Sequence, residues 1–220
     1  MLLPNIPPEV FALYAGLSWW ERAHIWLRWK LCPFRAIAAQ VPAAGSVADI
    51  GCGRGMLANY LALTSPSRSV IGLDRQAQRI RAALTTVGSR SNISFRNQDV
   101  REMRDEVFDT VILSDMLHHL TYPDQEAFLG HCYRMVRPGG LLLLEDVGEV
   151  PRWKFVSHYL IDRTLNLGRG QNFRTREQWR RLLQGLGFAV ETVPVHRRLP
   201  LPDYLFVCRK PPESADVPSG

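Results

Sequence analysis

The stretch VADIGCGRGM, residues 47–56, decides the reading of this chain. Apolar and small residues run into glycines at every second position, Gly51, Gly53 and Gly55, with an acid, Asp49, just ahead of them. A strand ending in dense glycine is backbone that turns sharply and lets a ligand come close, because glycine alone takes positive φ without a steric cost. One common ligand of such a turn is a dinucleotide, whose pyrophosphate sits on the next helix N-terminus and whose fingerprint is GxGxxG or GxGxxA. Gly51 and Gly53 satisfy its first two positions, but Met56 stands at the third and is too large for close helix–strand contact. The pattern present is D-x-G-x-G-x-G.

Outward from this loop, strand-like and helix-like patterns alternate. SVADIG (46–51), SVIGLD (69–74), NISFRN (92–97), FDTVILSD (108–115) and LLLLEDV (141–147) read as strands. Residues 55–64, 74–87 and 124–136 read as the helices between them, the last closed by the breaker PGG at 138–140. Nearly continuous apolar strands fit burial on both faces. A late helix at 176–188 precedes two strands, 188–195 and 203–210, whose close spacing predicts an antiparallel pair at the sheet edge. The predicted fold is α/β: a Rossmann-like, doubly wound, mostly parallel seven-stranded sheet with an antiparallel edge strand and a helical cap. The core spans 46–210. Residues 1–45 form the cap, where Ser18 and Glu21 fit a capping box opening a Trp-rich helix over 19–31. A cap insert lies at about 148–173 and a disordered tail at 211–220.

With 220 residues, 46% hydrophobic and 22% charged, the chain has a globular composition and length for one sizeable core. Cys32, Cys52, Cys132 and Cys208 form no CxxC pair or metal-ligand spacing, so they read as small hydrophobes in a reducing compartment, and no metal is expected. No signal-peptide pattern and no apolar run of membrane-spanning length is visible, which makes the expected location cytoplasmic. The formal net charge of +6 suits an acidic partner or an ordinary basic surface.

Three acids repeat at an interval of 25 residues, Asp49, Asp74 and Asp99, each at or near a strand's carboxyl end, where open α/β sheets bind ligands. Taken with the glycines, this resembles the class I S-adenosylmethionine-dependent methyltransferases, within them the small-molecule subgroup. VADIGCGRG resembles their motif I, LDRQAQRI and NQDV the acidic positions after the second and third strands, VILSDMLHHL the fourth-strand motif, and RMVRPGGLLLLED the approach to the fifth strand. The resemblance implies S-adenosyl-L-methionine as cofactor, Asp74 on its ribose hydroxyls and Asp99 on its adenine amine. Asp49, Gly51, Cys52, Gly53, Gly55, Arg75, Val100, Ser114 and Asp115 complete the implied cofactor set.

Methyltransferases of this kind that methylate amino groups of bases or glutamine often carry an Asn/Asp-Pro-Pro-aromatic motif after the fourth strand; Ser114–His119 lacks it, which favours an oxygen, a carbon or a different nitrogen acceptor. Methyl transfer is an in-line displacement that owes much to alignment. A base is needed only where the acceptor loses a proton, and His118 or His119 is the candidate. His158 and Tyr159 on the insert, and His24 and Tyr14 on the cap, are the alternatives. The roof over the acceptor is aromatic, so Tyr14, Trp19, His158 and Tyr159 are expected to bind a flat or lipophilic small molecule. Arg169, Arg174, Arg176, Arg180 and Arg181 could dock an acidic carrier protein or form a solvated face. The helix at 19–31, with Arg22, Arg28 and Lys30, also fits a membrane surface. A nucleic-acid substrate is disfavoured by the aromatic cap and the absent Pro-Pro motif.

Overall fold

The computed structural model describes residues 5–147, 172–195 and 203–213. Seven strands form one sheet in the order β3-β2-β1-β4-β5-β7-β6. They are β1 (Gly45–Ile50), β2 (Arg68–Asp74), β3 (Ile93–Asn97), β4 (Phe108–Ser114), β5 (Val136–Val147), β6 (Ala189–Val195) and β7 (Asp203–Arg209). β1 to β5 run parallel, and β7 is antiparallel to both β5 and β6. The late strands form the expected antiparallel pair at the sheet edge. The reversed strand, β7, lies one position in from that edge. Strand order reverses between β1 and β4, so the crevice of the doubly wound fold opens beyond their carboxyl ends.

The helices are α1 (Pro8–Ala12), α2 (Trp19–Leu31), α3 (Phe34–Ala38), α4 (Met56–Thr64), α5 (Ala77–Leu84), α6 (Tyr122–Met135) and α7 (Arg176–Gly185). Two apolar layers cover the sheet. One joins α1–α4 to Val47, Val70, Ile93 and Leu143; the other joins α6 and α7 to Ala48, Val111, Leu142 and Phe206. None of the described helices is long and apolar enough to cross a membrane.

Three local readings change. PGG does not break the chain between α6 and β5. Gly139, at φ +77°, and Gly140 form a bulge inside β5 where the register with β4 shifts past Asp109, and a Cβ on Gly140 would come within 2.8 Å of the Asp109 carbonyl. Asp74 does not open α5, because its carboxylate accepts from the Gln76 amide and holds the chain extended before the helix starts at Ala77. In α2 the capping box forms as read, but Ile25 and Trp29 face the core while Trp19, Trp20, Trp26 and Leu27 face outward. The cap insert other than residues 172–173, and the tail beyond 213, lie outside the described residues.

The glycine loop shows why its sequence is so restricted. Gly51, Gly53 and Gly55 all have positive φ, between +56° and +76°. A Cβ on Gly55 would also meet the Phe95 ring at 2.5 Å, whereas one on Gly53 would meet nothing within 4 Å. Gly55→Ala combines left-handed strain with overpacking and is expected to destabilise the fold by about 2–4 kcal/mol. Gly53→Ala carries the backbone strain alone, about 1–2 kcal/mol. Urea denaturation of both variants checks the difference, and equal losses would refute it.

Candidate active site

Beyond the carboxyl ends of β1 and β2, the glycine loop is held by hydrogen bonds to β2. The Gly51 and Cys52 amides donate to the Leu73 carbonyl at 2.8 and 3.0 Å. The Gly53 amide donates to Asp74 Oδ2 at 2.9 Å, and Asp74 Oδ1 accepts from the Gln76 amide at 2.8 Å. Asp74 therefore fixes the loop and still has acceptor positions, since a carboxylate offers about four lone-pair sites. Cys52 is half-buried behind the loop, and burial pushes its thiol well up, so it is a neutral packing group.

Asp49, at the end of β1, is 3% exposed. Its Oδ2 is buried and has no hydrogen-bond partner. Burial, aided by the nearby Asp74 charge, pushes its carboxyl up to about 7. Asp99 ends the segment after β3 and caps the short 3₁₀ turn opened by buried Val100. Arg101 grips both its oxygens at 3.0 and 2.6 Å and holds its carboxyl below the usual range, with half-exposed Arg75 at 3.8 Å.

A second group lies beyond β4 and β5. Ser114 donates to Glu145 Oε2 at 2.7 Å. Asp115 takes a left-handed backbone, φ +54°, rare outside glycine and typical of functional sites. Its amide donates to the Glu145 carbonyl, and its carboxylate accepts from Arg28 of α2 at 2.5 Å. His118, 1% exposed, follows in a 3₁₀ turn. Its ring Nδ1 lies 2.7 Å from Asp146 Oδ1, and its amide donates to Asp146 Oδ2 at 3.2 Å. The other ring nitrogen, Nε2, lies 4.0 Å from Asp115 Oδ1, so both nitrogens of His118 face a carboxyl group. His119 packs its ring 4.1 Å from that of His118, and Phe173 stacks on His118 at 5.3 Å. Buried Gln125 donates to the carbonyls of Leu117, Leu120 and Asn172, which docks the chain around Phe173 onto the turn.

The candidates from the sequence fall into three groups. Asp49, Gly51, Cys52, Gly53, Gly55 and Asp74 converge on the loop, Arg75, Asp99 and Val100 flank it, and Ser114, Asp115, His118 and His119 form the second group. Tyr14 is corrected: it is fully buried, donates to the Arg54 carbonyl at 3.0 Å and accepts from Asn59 at 3.1 Å. It fastens the cap to the loop and presents no surface to an acceptor. Trp19 is exposed on α2 and lines a groove with Phe11, Arg22, Ala23 and Trp26. His24 faces Arg54, Arg28 and Arg79, and burial with these charges pushes it down to about 4, leaving it neutral. His158 and Tyr159 lie outside the described residues. Among the described arginines read as a docking face, Arg174 is engaged by Gln125 and Glu126, Arg181 by Glu177, and Arg176 lies over Tyr204.

Sequence reading missed Arg28 as a partner of Asp115, and it missed Glu145 and Asp146. The signal for the last two was available: acids ending an apolar strand, as at Asp49. Asp115, His118 and Asp146 bring one ligand atom each within 4.8 Å of one another, although no metal-ligand spacing is visible in the chain. The composition suits a divalent cation, but Arg28 already pairs with Asp115, and Asp146 with His118.

Residues 47–140 match the family described as a methyltransferase domain. The chain is 32% identical over 160 residues to the ubiquinone biosynthesis O-methyltransferase of Pseudomonas savastanoi pv. phaseolicola, covering 68% of this chain and 67% of that protein. In fold it is similar to an O-methyltransferase family protein from Burkholderia thailandensis, with TM-score 0.72, 17% identity and coverage of 88% of this chain and 59% of that one. It is also similar to magnesium protoporphyrin IX methyltransferase from Synechocystis PCC 6803 with bound SAH, with TM-score 0.67, 20% identity and 92% of each chain covered. The chain belongs to the S-adenosylmethionine-dependent methyltransferases, the class of its sheet and its glycine loop.

Asp146→Asn replaces the carboxyl partner of a buried ring. It is expected to lower stability by about 1.5–3 kcal/mol, the scale of hydrogen bonds to charged groups. Urea denaturation of the variant measures the loss, and an unchanged midpoint would show that the pair does not hold the turn.

Proposed function

We propose that the chain transfers a methyl group to a hydroxyl oxygen of a small aromatic or lipophilic molecule, with His118 as the base. The carrying observation is the buried His118–Asp146 pair beyond the carboxyl ends of β4 and β5, in which a proton on Nδ1 would make Nε2 the basic nitrogen. A base is what an oxygen acceptor needs, since a phenol or alcohol must lose its proton as the methyl arrives. The O-methyltransferase relatives support oxygen over carbon.

The residues fit S-adenosylmethionine. Asp49 holds a buried oxygen without a partner, matched by a cationic ammonium. The outer side of Gly53 lets a ligand lie on the backbone. Asp74 takes ribose hydroxyls on the positions that Gly53 and Gln76 leave, and Asp99 takes the adenine amine beside Arg101. Bound there, the cofactor supplies an activated methyl group on a sulfonium. Asp146 keeps the His118 proton on Nδ1, and Nε2 takes the acceptor's proton. Arg28 holds Asp115 in place beside Nε2 and tethers α2 over the reaction group. At 1% exposure and with Phe173 stacked on its ring, His118 meets an acceptor only when Phe173 moves aside. Acceptor entry and water exclusion are then one event.

Two outcomes test this. Because Asp49 titrates near 7 and an ammonium selects its ionised form, affinity for S-adenosylmethionine should fall as pH drops below that value, by up to about ten-fold per unit. Binding there should release a proton. Calorimetry in buffers of differing ionisation enthalpy reads both, and Asp49→Asn should bind weakly with a flat profile; a wild-type profile in that variant would remove Asp49 from the site. With a phenol acceptor found by screening, His118→Ala should slow turnover about 10²–10⁴-fold at unchanged cofactor affinity. Unaltered turnover would place the base elsewhere.

A further inference from the structure

The outer face of α2 is apolar and uncovered. Trp19 and Trp20 are 67% and 68% exposed and stack at 3.9 Å, and Trp26, two turns on, is 48% exposed. Contiguous exposed aromatic surface of this kind marks an interaction site rather than ordinary surface. Phe11, Trp19, Arg22, Ala23 and Trp26 line a groove of about 390 Å³. The groove contains one arginine, Arg22. The Arg22 guanidinium lies 4.9 Å from the Phe11 centroid, and its Nε is buried without a hydrogen-bond partner. At the other end of the aromatic row, the Lys30 ammonium sits 5.5 Å from the Trp26 ring.

The balance of charge favours an anionic partner. Of the basic side chains in residues 1–45, Arg28 is paired with Asp115 and Lys30 is buried and donates to Asn5 Oδ1, so Arg22 in the groove and exposed Arg35 are the cations on this side. Glu21 is held by the Ser18 cap, so it does not answer Arg22. Tryptophan favours the boundary between lipid headgroups and acyl chains, and arginine and lysine favour anionic headgroups. A capped 13-residue helix with one aromatic face and flanking basic groups is built to lie in that boundary.

We propose that α2 docks the protein on an anionic lipid bilayer, with Trp19, Trp20 and Trp26 at headgroup depth and Arg22 on a lipid phosphate. The same helix reaches the reaction group through Arg28 and Asp115, 2.5 Å apart. Docking therefore places the site beside the bilayer, where a lipophilic acceptor of the class proposed above would be dissolved; this last step alone rests on that reading.

Cosedimentation of the full chain with vesicles tests it, using phosphatidylcholine alone and phosphatidylcholine mixed with phosphatidylglycerol. Binding is expected to the mixed vesicles only, to weaken with salt, and to shift tryptophan emission to the blue. Trp19→Ser with Trp20→Ser should weaken it at least about ten-fold. Arg22→Gln should weaken it about five-fold. Arg181→Gln, away from this face, should bind as wild type, and circular dichroism reports that every variant is folded. No vesicle binding, or binding unchanged by the α2 variants, overturns the proposal. So does a wild-type dimer that the tryptophan variants dissociate, which would make a second copy the occupant. So does competition by millimolar inorganic phosphate that abolishes the Arg22 dependence, which would make the groove a soluble-anion site. S-adenosylmethionine affinity, read by calorimetry in the same variants, stays at the wild-type value, so failure here is separable from failure of the methyltransferase reading.

Discussion

The hydrogen bond from the Gly53 amide to Asp74 organises this protein's working end. It joins the loop after β1 to the end of β2 at 2.9 Å, and it requires three successive left-handed turns at Gly51, Gly53 and Gly55. Once the loop is pinned, α4 starts at Met56 beneath it, and the Arg54 carbonyl becomes an acceptor that Tyr14 can reach from the cap. A buried tyrosine hydroxyl needs a partner. The loop thus sets where the N-terminal helices sit, and through them where Arg28 arrives over Asp115.

That chain of constraint separates two tasks. The Asp49–Asp74 side gathers buried acids around the glycine loop, the site proposed for a cofactor that bears cations and hydroxyls. The β4–β5 side presents a buried histidine whose Nδ1 lies 2.7 Å from Asp146. Arg28 connects them mechanically, as its helix is fastened near the loop at one end and to the reaction group at the other. A buried carboxylate beside a histidine stabilises both the neutral tautomer and the cation formed on proton transfer. It suits a base better than it suits simple packing.

Much of this was legible in the chain. Strand existence, the acids at 49, 74 and 99, the α2 capping box and the edge pair follow from periodicity and turn chemistry, which are local. What escaped is non-local. Arg28 and Asp115 are 87 residues apart, and nothing in either neighbourhood marks the pairing. The outward face of α2 could not be read because Trp19, Trp20, Trp26 and Trp29 fall around much of the helix; burial against Phe34 and Tyr60 selects Trp29 alone for the core. PGG looked like a terminator because its glycines suit turns, yet the same positive φ at Gly139 serves a bulge that keeps β5 paired. Tyr14 was read by its aromatic character, and its hydroxyl turned out to matter more.

The proposed role of His118 as base requires a neutral imidazole with its proton on Nδ1 and Nε2 basic. Nitrogen-15 NMR of the histidine-labelled protein at neutral pH, with His118 assigned by the His118→Gln variant, measures this directly. The account requires an Nδ1-protonated, Nε2-unprotonated ring whose pattern changes in Asp146→Asn. An Nε2-protonated ring or an imidazolium at that pH would contradict it, and the histidine would then be a packing group beside a methyl-transfer site that uses no base of its own.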